Sequence, residues 1–222
     1  MTTYKKPDFW SLKAQKEGYP ARSVYKLREM DEKFGLVKTR ARVLDLGAAP
    51  GSWSLYVLRL FSARARSRGA ARREEKKDGA ESGFLAAADL APLSRRDDAG
   101  LFDGGNFFFI QGDFTEAPVR DALVRAGPYS LVLCDAAPVT TGNRTVDTQR
   151  SLALAEAALD YAPRLDTGGS LVVKVFQGGE TAGLLARMRG LFENARSFKP
   201  SVCRGTSFET YFIGLGKKGG LD

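Results

Sequence analysis

A chain of 222 residues, 43% of them hydrophobic, has apolar material for one large α/β domain, and its length does not call for two. It contains no histidine, which excludes histidine-based triads and zinc chemistry, and its two cysteines, Cys134 and Cys203, make neither a disulfide framework nor a metal cluster. The net charge of +8 is unevenly spread: residues 1–42 hold eleven Lys/Arg against five Asp/Glu, residues 62–82 seven against four, and the remainder sixteen against seventeen. Such a distribution suits contact with a polyanion such as RNA or DNA, set against the plainer reading of a solvated basic surface.

The N-terminus, Met-Thr-Thr-Tyr-Lys-Lys-Pro-Asp, lacks the apolar centre of a signal peptide, and no run of 18 apolar residues occurs. The expectation is a soluble cytoplasmic protein without a membrane partner, and a monomer, since no extra apolar interface stands out. A single domain is expected over 1–222, with a basic arm and helix over 1–40 and a basic surface insertion over 62–82.

In chain order, residues 8–34 mix aromatic and basic positions. Val24, Leu27, Met30 and Phe34 recur at helical spacing, with Pro20 and Ser23 suited to the helix start. That spacing places Lys26 off the centre of the apolar stripe, where a snorkelling surface lysine is the plainer reading. Val43–Leu46 reads as a strand, followed by a glycine turn and a helix over 54–60. The stretch 62–82 is rich in Arg, Ala and Gly and has no core pattern, so it reads as a mobile or partly helical insertion that either grips phosphates or is decoration. Further strands are expected at 84–90, 106–113, 129–135, 170–176 and 210–215, with 195–199 unassigned ahead of the last. Helices are expected at 115–126, about 146–165 and about 180–192. Strands alternating with helices imply a Rossmann-like α/β fold with a mostly parallel sheet and helices on both faces.

The chemistry collects at strand ends. Asp45, Asp89, Asp113 and Asp135 lie at or just after four of them, where a carboxylate faces a ligand crevice and needs a partner. Helix caps and turn formers are the plainer reading of any one of these acids. An acid after the second strand suits the ribose hydroxyls of a nucleoside. The turn after the first strand has glycines at Gly47 and Gly51 but lacks Gly-x-Gly-x-x-Gly, which speaks against pyrophosphate. An Asp two residues before the first glycine fits a ligand with a cationic amino-acid end and no phosphate, such as S-adenosylmethionine. Lys174 lies inside Leu171-Val-Val-Lys-Val-Phe176; a buried ammonium there needs carboxylates or a site that favours the neutral amine, and an edge-strand lysine is the alternative.

Arg22-Ser-Val-Tyr-Lys26-Leu, Asp45-Leu-Gly-Ala-Ala-Pro-Gly-Ser-Trp53, Cys134-Asp135-Ala-Ala-Pro138, Val172-Val-Lys174-Val-Phe-Gln-Gly178 and Ser207-Phe-Glu209-Thr-Tyr211 together resemble the FtsJ/RrmJ family of ribose 2′-O-methyltransferases. The resemblance runs from about residue 20 to 215. It implies a seven-stranded methyltransferase fold, S-adenosylmethionine as donor and RNA as acceptor, foremost a uridine of large-subunit rRNA, with tRNA or a cap-proximal ribose as alternatives. A non-catalytic RNA-binding assembly factor is the alternative from another class. The family's catalytic tetrad falls on Lys26, Asp135, Lys174 and Glu209, with Lys174 as general base or orienting group. Its cofactor contacts fall on Gly51, Trp53, Asp89, Asp113 and Asp135, beside Asp45 and Gly47 from the turn itself. Ser52 departs from the glycine usual before the tryptophan, and Phe208 and Thr210 depart from the bacterial pattern around Glu209. The basic and aromatic arm (Lys5, Lys6, Lys13, Lys16, Arg22, Arg28; Phe9, Trp10, Tyr19) is expected to grip RNA.

Overall fold

The computed structural model describes residues 8–71, 83–178, 180–203 and 207–219. Strands β1 (Arg42–Leu46), β2 (Phe84–Asp89), β3 (Phe107–Gln111), β4 (Tyr129–Cys134), β5 (Leu165–Phe176), β6 (Phe192–Phe198) and β7 (Glu209–Lys217) form one seven-stranded sheet in the order β3-β2-β1-β4-β5-β7-β6. The first five pair in parallel, whereas β7 runs antiparallel to both β5 and β6. Among the described residues no helix is long and apolar enough to cross a membrane.

The central strands are covered on both faces, so they are continuously apolar and alternate between two cores. Val43, Leu85, Leu131, Leu133, Val172, Tyr211 and Ile213 pack against helices α2 (Val24–Phe34) and α3 (Ser52–Ala71). Leu44, Leu46, Val132, Val173 and Val175 face the other way, toward α4 (Ala117–Ala126), α5 (Arg144–Leu159) and α6 (Thr181–Leu191). The order reverses between β1 and β4, the switch point at which open α/β sheets hold their ligands.

Several boundaries depart from the sequence expectations. Residues 9–16 form a helix, α1, capped by the Asp8 carboxylate on the Ser11 amide at 2.9 Å, so this part of the arm folds onto the body through Ala14. Helix α3 runs on through residue 71, so the first ten residues of the expected insertion continue an existing helix; the rest of it lies outside the described residues. β5 begins at Leu165, five residues early, because pairing with β4 extends it across the Gly168-Gly169 pair expected to end the preceding helix. β6 starts at Phe192, directly after α6, where Phe192 is fully buried.

Candidate active site

Sheet register assembles the site. Leu46 of β1 pairs with Cys134 of β4, and Cys134 pairs with Val173 of β5, so Gly47, Asp135 and Lys174 arrive side by side. On the other side of β5, Lys174 pairs with Tyr211 and Phe176 with Glu209 of β7. Lys26 comes from the middle of α2, packed on the same face.

The four tetrad residues meet as two ion pairs. Lys26 Nζ lies 2.7 Å from Glu209 Oε1, and Lys174 Nζ lies 3.0 Å from Asp135 Oδ1 while donating to the Asp135 carbonyl at 2.5 Å. Both lysines are more than nine-tenths buried, so Lys26 is not a snorkelling surface residue and Lys174 is not on an edge strand. The 3.6-residue period could not show this, since it locates α2's stripe but not the carboxylate that β7 brings to it. Burial works against the charge on Lys26, but Asp135 and Glu209 outweigh it and hold the ammonium above its ordinary range. Burial also opposes the Asp135 charge, and here Lys174, Lys26 and a hydrogen bond from Tyr211 prevail and hold the carboxyl below the usual range.

Tyr211 is the residue that sequence reading left without a role. Its hydroxyl donates to Asp135 Oδ1 at 2.7 Å, Lys26 Nζ sits 5.8 Å from its ring centroid, and Trp53 packs against it at 5.9 Å. The available signal was a tyrosine in an otherwise apolar strand, whose hydroxyl must find a partner once buried. Cys203 lies beside Glu209, and its thiol is pushed up to about 12 by burial first and Glu209 second.

On the other side of Asp135 is a cavity of about 130 Å³ lined by Gly47, Asp89, Leu90, Asp113, Phe114 and Ala136. Asp89 Oδ2 accepts from the Ala49 amide at 2.9 Å and Oδ1 from Ala91 at 2.8 Å, which ties the glycine turn to the end of β2. Asp113 Oδ1 accepts from the Thr115 amide and hydroxyl, fixing its orientation at the cavity wall. Gly47 has φ +72°, and a Cβ there would lie 2.6 Å from Ala136 Cα; at Gly51, φ +107°, it would lie 3.0 Å from the Phe102 ring. Glycine is required at Gly47 because two turns pass each other in backbone contact.

Two expected cofactor residues are closed to solvent. Asp45 is fully buried, accepts from the Ser54 hydroxyl at 2.6 Å and, among the described residues, has no partner on Oδ1; burial pushes its carboxyl up to about 7. The Trp53 indole is 2% exposed and donates to the Ser23 carbonyl at 2.8 Å, which locks α3 to the start of α2. The expectation that Asp45 faces the crevice is thereby corrected: residue alternation along β1 turns its side chain under α3 with Val43.

Several side chains of the arm have partners within the protein. Arg22 pairs with Asp8 at 2.5 Å and Arg28 with Glu17 at 2.9 Å, and Lys13 lies about as close to the Tyr25 ring, 5.0 Å, as to Trp10. Tyr19 is buried and has Arg59 over its ring, so it offers no stacking face, whereas Phe9 is 69% exposed. Lys5 and Lys6 lie outside the described residues.

The comparisons with known proteins agree with this architecture. The FtsJ-like methyltransferase family matches residues 19–217. Proteins named ribosomal RNA large subunit methyltransferase E are 49% identical in Treponema denticola, over 97% of this chain and 98% of theirs, and 44% identical in Oleidesulfovibrio alaskensis, over 96% and 92%. Among solved structures, a Plasmodium falciparum protein described as a ribosomal RNA methyltransferase superposes with TM-score 0.69 at 22% identity, covering 91% of this chain and 100% of that one. Magnesium protoporphyrin IX methyltransferase of Synechocystis, with bound S-adenosylmethionine, shares the fold at TM-score 0.52 and 15% identity, covering 96% and 86%. With a matching region that spans nearly the whole chain and relatives near half identity, the chain belongs to the FtsJ-like methyltransferase family.

Proposed function

We propose that this methyltransferase transfers the methyl group of S-adenosylmethionine to a ribose 2′-hydroxyl of large-subunit ribosomal RNA, acting as a cytoplasmic monomer. The observation that carries the reading is the meeting of Lys26–Glu209 and Lys174–Asp135 beside the cavity at the switch point. The substrate follows from the relatives at up to 49% identity and from the basic N-terminal region.

The residues present fit the cofactor. Leu90 and Phe114 offer an apolar slot for an aromatic base, Asp89 and Asp113 offer acceptors for hydroxyl or ammonium groups, and Gly47 keeps the floor open. The first N–H groups of α3, at Ser52 and Trp53, suit a carboxylate, which gives Trp53 a backbone role in place of its buried side chain. When bound, S-adenosylmethionine supplies an electrophilic methyl group on a sulfonium.

The protein's part is to position the acceptor and manage its proton. A ribose hydroxyl is a weak nucleophile at neutral pH, so alignment and proton removal both contribute. Asp135 and the Asp135 carbonyl hold Lys174 Nζ at the crevice edge, where its ammonium form orients the hydroxyl oxygen and its neutral form takes the proton. Lys174 first and then Lys26, fixed by Glu209, keep Asp135 ionised, and Tyr211 fixes the rotamer of that carboxylate.

The test is incubation with labelled S-adenosylmethionine and, separately, large ribosomal subunits, free large-subunit rRNA and tRNA, followed by mapping of the product. A single 2′-O-methylated nucleotide in large-subunit rRNA is expected. Label in tRNA alone would replace the substrate assignment, and label on a base or on protein would overturn the ribose assignment.

A further inference from the structure

A second cavity lies outside the cofactor crevice. It measures about 470 Å³ and opens between the start of α5 and the turn that follows β5. Arg144, Thr148, Gln149 and Leu152 line it from α5, and Gly178 and Glu180 from the turn. None of these residues belongs to the cavity at Gly47, and none has a role in the tetrad. The Thr145 and Val146 amides at the start of α5 are already used by Asn143 Oδ1, and Asp147 accepts from the Thr141 and Gly142 amides just before it. Recognition in this cavity therefore rests on side chains.

The cavity adjoins the acceptor side of the site. Arg144 donates to the Gln177 carbonyl at 3.5 Å, and its guanidinium lies 5.4 Å from the Phe208 ring centroid. Phe208 packs on Phe176 at 4.7 Å and precedes Glu209, and the Gln177 amide donates to the Phe208 carbonyl at 2.7 Å. Arg144 thus connects the cavity, through Phe208, to the strand pair carrying Lys174 and Glu209. Gly178 is four residues beyond Lys174, at most about 13 Å along an extended chain, which is within reach of the next nucleotides of a single strand bound at Lys174.

The lining matches a nucleoside better than a bare anion. Leu152 and the Thr148 methyl supply apolar surface, the Arg144 guanidinium supplies a planar cation that stacks on a base or pairs with a phosphate, and the Gln149 amide has the donor and acceptor of a base edge. Glu180 repels a free phosphate but accepts from an exocyclic amino group or a ribose hydroxyl. The volume lies in the range of small-molecule sites.

We propose that this cavity is an acceptor subsite holding the nucleoside of a nucleotide that flanks the methylated one, so that Arg144 and Gln149 help to choose the RNA sequence. The inference rests on the RNA methyltransferase reading above. Arg144 and Gln149 are exposed, so Arg144→Ala and Gln149→Ala leave the fold intact, which unchanged affinity for S-adenosylmethionine verifies. With a large-subunit rRNA transcript, each variant is expected to raise the RNA KM about tenfold, in line with a lost polar base contact. Abasic residues placed one or two positions from the methylated nucleotide should raise the wild-type KM similarly at one position and add nothing in the Arg144→Ala, Gln149→Ala double variant. Normal KM values for both variants overturn the subsite while leaving the parent reading in place. Additive losses in the double variant also overturn it. Absence of methyl transfer to any RNA by the unaltered chain overturns both.

Discussion

The two sides of the crevice are built on opposite principles. The side proposed for the donor is backbone: a glycine turn in left-handed conformations, carboxylates bonded to main-chain amides, and a helix start. The side proposed for the acceptor is charge: two ion pairs from four elements, held at about nine-tenths burial or more for the lysines. A surface made of backbone is sensitive to the addition of atoms, whereas one made of buried charge is sensitive to their removal. Removing one partner of a buried pair strands the other.

Substitutions on each side sharpen this contrast. The largest effect is expected for Lys174→Ala, with kcat reduced about a thousandfold in single-turnover methylation while cofactor affinity stays within a factor of two to three of the starting value. Near-normal turnover with cofactor bound would remove Lys174 from proton management. Next is Lys26→Met, which leaves the largely buried Glu209 without its cation and should destabilise by roughly 3 kcal/mol in urea melts. Lys26→Met combined with Glu209→Leu should recover most of that stability and none of the activity. If the double variant is no more stable than Lys26→Met, the pair is not the reason for the loss.

On the donor side, Gly47→Ala places a Cβ against Ala136 in a left-handed conformation and should cost about 2 kcal/mol, together with most of the cofactor affinity measured by calorimetry. An Ala variant that binds normally would show that the two turns can move apart. The smallest effect on methylation is expected at Asp45, whose substitution acts on stability. Its carboxyl, pushed up to about 7 by burial, binds more protons in the folded than in the unfolded chain, so its contribution to stability is full below about pH 4 and is lost as pH rises through 7. Asp45→Asn should flatten that slope and raise Tm by a few degrees at pH 8 relative to the unaltered chain. Parallel melting curves at pH 5 and pH 8 for the two proteins would contradict the assignment.

Much of this site was legible before the fold was known. Lys174 announced itself as a cation inside an apolar strand, and the turn from Asp45 to Trp53 announced a nucleotide-type crevice. Lys26 was singled out only by the motif resemblance, because by periodicity alone a lysine beside a helical apolar stripe reads as surface until a carboxylate from a distant strand is brought to it. Asp45 and Trp53 misled in the other direction. Their motif position was clear, but strand alternation and the packing of α3 on α2 turned both side chains away from solvent. The partly helical alternative for the start of the 62–82 stretch is the one the fold adopts over 62–71, where low apolar content left the choice open.

The sequence by itself determined the α/β class, the glycine turn, the strand-end acids and the buried lysine, because each follows from local spacing and from the cost of burying charge or a Cβ. Tertiary structure alone decided which charges meet. Residues 26, 135, 174 and 209 are far apart along the chain, and the register of β1, β4, β5 and β7 sets which carboxylate each lysine finds. The same holds for Asp45. The sheet face it occupies, and not its place in a motif, puts its side chain beneath α3 and out of the crevice.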